Sequence, residues 1–264
     1  KIGWVNIKLH RNVEGKVKTL TIKKNCTNKW FACFSIEEEK EIEQHKSDKI
    51  VGIDVGLNNF YADSEGNKID NPRWLRKSEK RLNFLQMQHS RKKKGSSNRK
   101  KSKLKIAKLH EKIVSQRNDF LHKQSRKLAD DYSLIAVEKL SIKNMLNNRY
   151  LAKSICDAGW RRFLKFLSYK AEEAGGRIVE VDARGTSQYC ICGNEVKKSL
   201  AVRTHKCHKC GRDLDRDVMS AIIIKAIALK NTVGTAGINA CRDVPMGTSM
   251  KQEYTGNAQN LSLA

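Results

Sequence analysis

The run Ile50-Val51-Gly52-Ile53-Asp54-Val55 decides how the rest of the chain is read. It is short, apolar and rich in β-branched residues, which predicts a buried strand, and it carries a carboxylate near its end. Phe60-Tyr61-Ala62 reads as a second strand, and Asp63-Ser64-Glu65-Gly66-Asn67 as a turn into a third. Further on, Ser133-Leu134-Ile135-Ala136-Val137-Glu138 repeats the pattern of a buried strand ending in an acid. Trp160, Phe163, Leu164, Phe166 and Leu167 mark a helix that Gly175-Gly176 stops. Arg177-Ile178-Val179-Glu180-Val181-Asp182 is a further strand, and residues 217–229 form an apolar helix. The order strand–strand–strand–helix–strand–helix–strand–helix predicts an α/β domain.

Either side of that domain the texture differs. Thr19-Leu20-Thr21-Ile22 and Trp30-Phe31-Ala32-Cys33-Phe34 predict hairpin strands near the start. The chain opens on Lys1 and is expected to be part of a longer protein. Residues 231–264, rich in Gly, Asn, Thr and Ser, predict a flexible tail.

Lys and Arg number 53 against 28 Asp and Glu in 264 residues, a net charge of +25 that points to a polyanionic partner, RNA or DNA first. Lys92, Lys93, Lys94, Arg99, Lys100, Lys101, Lys103 and Lys105 flank Gly95-Ser96-Ser97-Asn98 and predict a mobile basic segment. Phosphate contact is the functional reading and a solvated helix face the plain one; the charge excess favours the first. No apolar run is long enough to span a membrane and no stretch reads as a signal peptide, so neither a secreted protein nor a membrane partner is expected.

Three acids stand at the expected element ends: Asp54, Glu138 and Asp217. Converging carboxylates are hard oxygen ligands, and two Mg2+ or Mn2+ ions held by them can activate water and stabilise the leaving oxygen of a phosphodiester. Each acid alone could equally cap a loop or helix, as could Asp213 or Asp215. The ordered set of three is what points to chemistry.

Cys190-Ile191-Cys192-Gly193 and Cys207-His208-Lys209-Cys210-Gly211 flank a basic loop. Paired thiolates on two turns are a framework for a structural Zn2+. The second pair has C-x-x-C spacing, whereas the first is C-x-C, one residue tighter. His205 or His208 could replace a thiolate there, and unmetallated thiols or a disulfide remain the alternatives. Cys26, Cys33, Cys156 and Cys241 read as ordinary residues. Tyr189 could stack on an unpaired base or fill the small core of the insert.

The sequence resembles the TnpB (OrfB) family of insertion-sequence proteins, relatives of the type V CRISPR effectors. The resemblance rests on Gly52-Ile53-Asp54-Val55-Gly56-Leu57, Leu121-His122-Lys123-Gln124-Ser125 and Val137-Glu138-Lys139-Leu140. It continues through Ala152-Lys153-Ser154-Ile155-Cys156-Asp157-Ala158-Gly159-Trp160, Thr186-Ser187-Gln188, the cysteine pairs and Asp215-Arg216-Asp217. It implies an RNase H-like (RuvC) nuclease core with a zinc-ribbon insert and a partial N-terminal β-rich wedge segment. The implied domains are residues 1–48 as the end of a guide-RNA-binding wedge, 49–183 as the RuvC-like core and 184–211 as a zinc-ribbon insert that binds target nucleic acid. Residues 212–230 would be the last RuvC helix.

The implied activity is a transposon-encoded DNA endonuclease, guided by RNA from the transposon end to target DNA, in the prokaryotic cytoplasm and at the nucleoid during action. Asp54, Glu138 and Asp217 would be catalytic, with Mg2+ or Mn2+, and Cys190, Cys192, Cys207 and Cys210 would hold Zn2+. The alternatives are a nuclease-dead protein that binds guide RNA and DNA, a decayed transposase-associated copy, or a strand-transferring transposase. Set against the family pattern, the sequence is expected to start downstream of the N-terminal region, and it departs in the tight Cys190–Cys192 pair and in Met219 where an Asn is usual.

Overall fold

A computed structural model of the chain describes residues 4–10, 12–39, 41–182, 186–199, 202–235 and 256–258. In chain order the strands are β1 (Lys16–Lys24), β2 (Trp30–Glu37), β3 (Ile50–Val55), β4 (Asn59–Asp63), β5 (Lys68–Asp70), β6 (Leu134–Glu138), β7 (Arg177–Val181), β8 (Thr204–Lys206), β9 (Asp213–Asp215) and β10 (Gly256–Ala258). The α-helices are α1 (Trp74–Ser90), α2 (Ser97–Asp131), α3 (Ile142–Met145), α4 (Ala152–Ala158), α5 (Trp160–Glu173) and α6 (Arg216–Thr235). The chain divides into two compact units, one including residues up to Glu41 together with Glu79–Ile113, the other Ile42–Ser78 and Val114 through α6.

In the first unit β1 and β2 form an antiparallel hairpin with a register shift between Val17 and Thr19, and β10 pairs with β2. Asn25 closes the hairpin turn: its side-chain oxygen accepts from the Thr27 and Lys29 amides, 2.9 Å each. The same turn is fastened to α2, because Asn25 Nδ2 donates to Glu111 Oε1 at 2.9 Å and Lys29 pairs with Glu111 at 3.2 Å. The basic segment is more ordered than expected. Residues from Ser97 onward belong to α2, so Arg99, Lys100, Lys101, Lys103 and Lys105 are helical. Lys and Arg are good helix formers, and no apolar period is needed for them to join a helix whose later turns are anchored.

The second unit is built on a five-stranded sheet of order β5-β4-β3-β6-β7. β3, β4 and β5 are antiparallel, while β3, β6 and β7 run parallel. Alternation sorts the side chains onto two faces. Val51 and Ile53 of β3, with Ile135 and Val137 of β6, join Leu121, Phe163 and Leu167 of the helices on one side. Phe60 packs edge-on against Phe120 and Phe163 there, with centroids 5.0 Å away in each case. Leu134 and Ala136 point the other way and join Ile224 and Ala228 of α6. Gly52 lets α6 approach this second face, since a Cβ there would lie 2.1 Å from the Ala221 carbonyl oxygen.

Helix α6 runs on to Thr235, past the boundary expected near residue 230. Of the expected flexible tail, residues 231–235 belong to α6 and residues 256–258 form β10; its other residues, Cys241 among them, lie outside the described residues. Among the described residues no helix is long and apolar enough to cross a membrane.

Candidate active site and metal centre

Alternation that buries Val137 and Ile53 on one face puts their successors on the other. Ile53 and Val137 are partners in the parallel β3–β6 ladder, so Asp54 and Glu138 come one residue later at the same level on neighbouring strands. Both lie on the face that carries α6. Asp217 enters from the first turn of α6, where the unpaired amides of a helix N-terminus favour negative charge.

The electrostatics record this convergence. Burial first, then the charges of Asp217 and Glu138, push the Asp54 carboxyl up to about 8, with Arg216 opposing. Burial and the nearby Asp182 also raise Glu138. Such an excess of negative charge is what a divalent cation relieves, so the donor set suits a hard metal ion.

Asp215 has a different occupation. Its Oδ1 accepts from the amides of Asp217 (2.9 Å) and Val218 (3.4 Å), which caps α6, and its Oδ2 takes Lys68 Nζ at 2.5 Å. Burial works to raise this carboxyl, but Lys68 and the two amides hold it below its usual value. Asp217 faces arginines instead: Arg216 Nε is 3.3 Å from Oδ1 and Arg203 Nη1 is 4.0 Å from Oδ2.

Sequence reasoning did not assign roles to Arg216, Arg203, Lys68 or Asp182. Asp182 alone carried a visible signal, as a third strand-ending acid after Asp54 and Glu138.

The cysteines gather closely. All four Sγ atoms of Cys190, Cys192, Cys207 and Cys210 lie within 4.8 Å of one another. Cys190 and Cys210 are 3.6 Å apart, as are Cys192 and Cys207. A tetrahedron of sulfurs about 2.3 Å from zinc has edges of about 3.8 Å, so the set fits that ion.

The tight C-x-C pair achieves this with a turn: the Gly193 amide donates to the Cys190 carbonyl at 2.8 Å, and Gly193 takes a left-handed φ of 81°. Gly211, at φ 68°, serves the second pair in the same way, donating to the Cys207 carbonyl at 2.9 Å. The Cys210 amide, against burial and with help from the Lys209 amide, brings the Cys207 thiol down to about 6. Burial pushes Cys190 up to about 12.

His205 and His208 stand outside the sulfur cluster. His205 is fully buried with its Nδ1 2.5 Å from Lys198 Nζ, and His208 is exposed. Tyr189 is 46% exposed, so it does not fill an insert core. Met219 packs with Cys190, Cys207 and Ile223, which puts this departure at the seam between insert and helix. β8 pairs with β9, which leads straight into α6, so the insert and Asp217 are joined by a few residues of regular backbone.

Of the basic residues, Lys93, Lys94, Lys100, Lys101, Lys103 and Lys105 are exposed, and Lys92 is partly covered. Arg99 is structural as well as charged, since its Nη1 donates to the carbonyls of His89 (3.1 Å) and Lys92 (2.9 Å) and closes the turn between α1 and α2.

Residues 33–149 match the OrfB_IS605 family, described as "Probable transposase", and residues 160–224 match the "Cas12f1-like, TNB domain" family. A "Putative RNA-guided DNA endonuclease" of Streptomyces pristinaespiralis is 35% identical over 89% of this chain and 59% of its own length. The "Putative RNA-guided DNA endonuclease InsQ" of Escherichia coli (strain K12) is 32% identical over 97% of this chain and 66% of its own. The chain thus spans roughly three fifths to two thirds of these relatives' lengths. Among solved structures, a CRISPR-Cas12f ternary complex aligns with a TM-score of 0.52 and 20% identity, over 80% of this chain and 46% of that one. The fold is accordingly a mixed α/β fold of the Cas12f kind, and the chain belongs to the TnpB (OrfB) family.

Proposed function

We propose that this chain acts in RNA-guided cleavage of DNA, hydrolysing phosphodiesters at an RNase H-like (RuvC) site formed by Asp54, Glu138 and Asp217. The observation that carries the reading is the level placement of Asp54 and Glu138 on neighbouring parallel strands, with Asp217 near enough to raise the Asp54 pKa. The naming of two relatives as RNA-guided DNA endonucleases supports the guided part.

Asp54, Glu138 and Asp217 would hold two Mg2+ or Mn2+ ions. Bound divalent cations supply Lewis acidity, lowering the pKa of water and stabilising the departing oxygen. Asp54 and Glu138 fix one side of the site through the rigid sheet. Asp217 fixes the other through the capped start of α6, and Asp215 is committed to that cap. Arg216 and Arg203 partly neutralise Asp217 and stand ready to face phosphate oxygens.

Cys190, Cys192, Cys207 and Cys210 would hold a structural Zn2+ in a ribbon that contacts target nucleic acid. Residues 1–48 would belong to a wedge that grips guide RNA from the transposon end. The exposed lysines of the segment from Lys92 to Lys105 would contact phosphates, with sequence delegated to guide–target pairing.

The test is Mg2+- and Mn2+-dependent cleavage of end-labelled single-stranded DNA by this chain and by Asp54→Ala. Cleavage by the first and none by the second is expected. Equal cleavage by both would remove Asp54 from the site and the mechanism with it.

A further inference from the structure

The loop after Glu138 has an unusual composition for a surface segment. From Lys139 to Cys156 there are four cations, Lys139, Lys143, Arg149 and Lys153, and no acid. Leu140, Ile142 and Met145 tuck against the core under the sheet, which pins the start of the segment. The tip is then held by its own backbone. The amides of Leu151 and Ala152 donate to the Asn148 carbonyl at 3.1 and 2.9 Å, and the Asn148 side chain accepts from the Tyr150 amide at 3.1 Å. After the tip, Ile155 and Ala158 of α4 return to the core.

This fixed tip presents Tyr150, which is 77% exposed. The Arg149 guanidinium lies 5.0 Å from its ring centroid and donates from Nη2 to the phenol oxygen at 3.0 Å. One face of the ring is thus backed by a cation and the ring is pre-oriented, while its exposure leaves the other face to solvent. An aromatic with one open face beside a fixed guanidinium matches an unpaired base and its neighbouring phosphate. The loop springs from the C-terminal end of a parallel strand, the edge at which α/β sheets receive ligands, and it begins one residue after Glu138.

We propose that the Asn148–Tyr150 tip is a docking platform for single-stranded DNA, with Tyr150 stacking on an unpaired base and Arg149 contacting the phosphate beside it. The platform rests on the nuclease reading, since it would hold the strand next to the acids. Single-stranded DNA is the occupant because a duplex keeps its base faces stacked and offers Tyr150 nothing.

Binding is measured by fluorescence anisotropy of a labelled oligothymidylate without divalent cations, so that no cleavage intervenes. A matching oligouridylate and a blunt duplex serve as comparisons. Tyr150→Ala is expected to weaken oligothymidylate binding about 5-fold or more, with Tyr150→Phe near wild type and duplex binding unchanged. The salt slope should be unaltered in Tyr150→Ala and shallower by about 0.7 in Arg149→Gln.

Wild-type affinity in Tyr150→Ala overturns the platform, as does an equal loss on the duplex. A loss confined to oligouridylate also overturns it, in favour of an RNA contact. If Tyr150→Ala binds normally while wild-type cleavage still depends on Asp54, the platform falls and the nuclease stands. If stacking is lost as expected but no condition gives cleavage, the platform stands and the nuclease reading falls.

Discussion

The four cysteines and the three carboxylates are both sets of anionic ligands collected from separated parts of the chain, but they are held differently. The thiols sit on two short turns that fold back on themselves, each relaxed by a left-handed glycine, and their sulfurs lie within 4.8 Å of one another. The acids sit on a packed sheet and a capped helix that fix their level and direction and leave their charges in excess. The thiol cluster is thus assembled by local backbone. The acid cluster is assembled by the global core, where hydrophobic packing on both sheet faces holds mutually repelling carboxylates in place.

The largest effect should come from breaking the local assembly. Cys207→Ser should abolish stoichiometric zinc, which metal analysis would read as a fall from one ion per chain to none. It should also unfold the insert, since a structural zinc contributes apparent binding energies of about 10–16 kcal/mol to small domains. Retained zinc would mean that His205 or His208 completes the set after all. Next, Asp54→Ala should lower Mg2+-dependent cleavage by roughly 10³-fold while leaving the zinc content intact. A variant that loses both would erase the distinction between the two centres.

Gly52→Ala tests the global core directly. Its new methyl would press on the Ala221 carbonyl of α6 and should cost about 3 kcal/mol, read as a lowered denaturant midpoint. Cleavage should fall with it, because Asp217 rides on that helix.

The charge excess at the acids also predicts a pH dependence in the absence of divalent cations. Burial and the charges of Asp217 and Glu138 raise Asp54 from its ordinary 3.8 to about 8, so the folded state holds its proton where the unfolded state has released it. Stability from this group is therefore full below about pH 4 and declines as pH rises towards about 8. Asp54→Asn should flatten that decline and raise the melting temperature at pH 8 by about 3 °C or more. The smallest effect belongs to Arg203→Gln. Its half-exposed contact with Asp217 at 4.0 Å should change the melting temperature by about 1 °C or less. A large shift there would mean that the insert and the acids are energetically one unit.

The sheet and its acids were legible because burial on a pleated surface writes a pattern into consecutive residues. Val51, Ile53, Ile135 and Val137 announce their strands, and Asp54 and Glu138 stand out as charges at the ends of apolar runs. The cysteine set was legible from spacing, although the C-x-C pair looked too tight because the compensating turn at Gly193 is a backbone property. The helical state of Arg99 to Lys105 was not legible, since lysine-rich segments carry no apolar period and take their order from the later turns of α2. Nor were the partners of Asp217. Arg203 reaches it through the pairing of β8 with β9, which aligns residues that no local pattern connects.

That pairing also sets where the chain can change length. The first cysteine turn follows a single 3-10 turn at Thr186–Gln188 and feeds a loop, so a residue can be lost between Cys190 and Cys192 and the turn at Gly193 absorbs it. The second leads through β9 into the cap at Asp215 and the carboxylate at Asp217 without slack. One residue inserted between Asp215 and Asp217 would break the cap and turn the carboxylate by about 100° around the helix axis. The cysteine insert is accordingly forgiving of insertions and deletions at its entrance and intolerant of them at its exit, and variation in length should accumulate on one side of it alone.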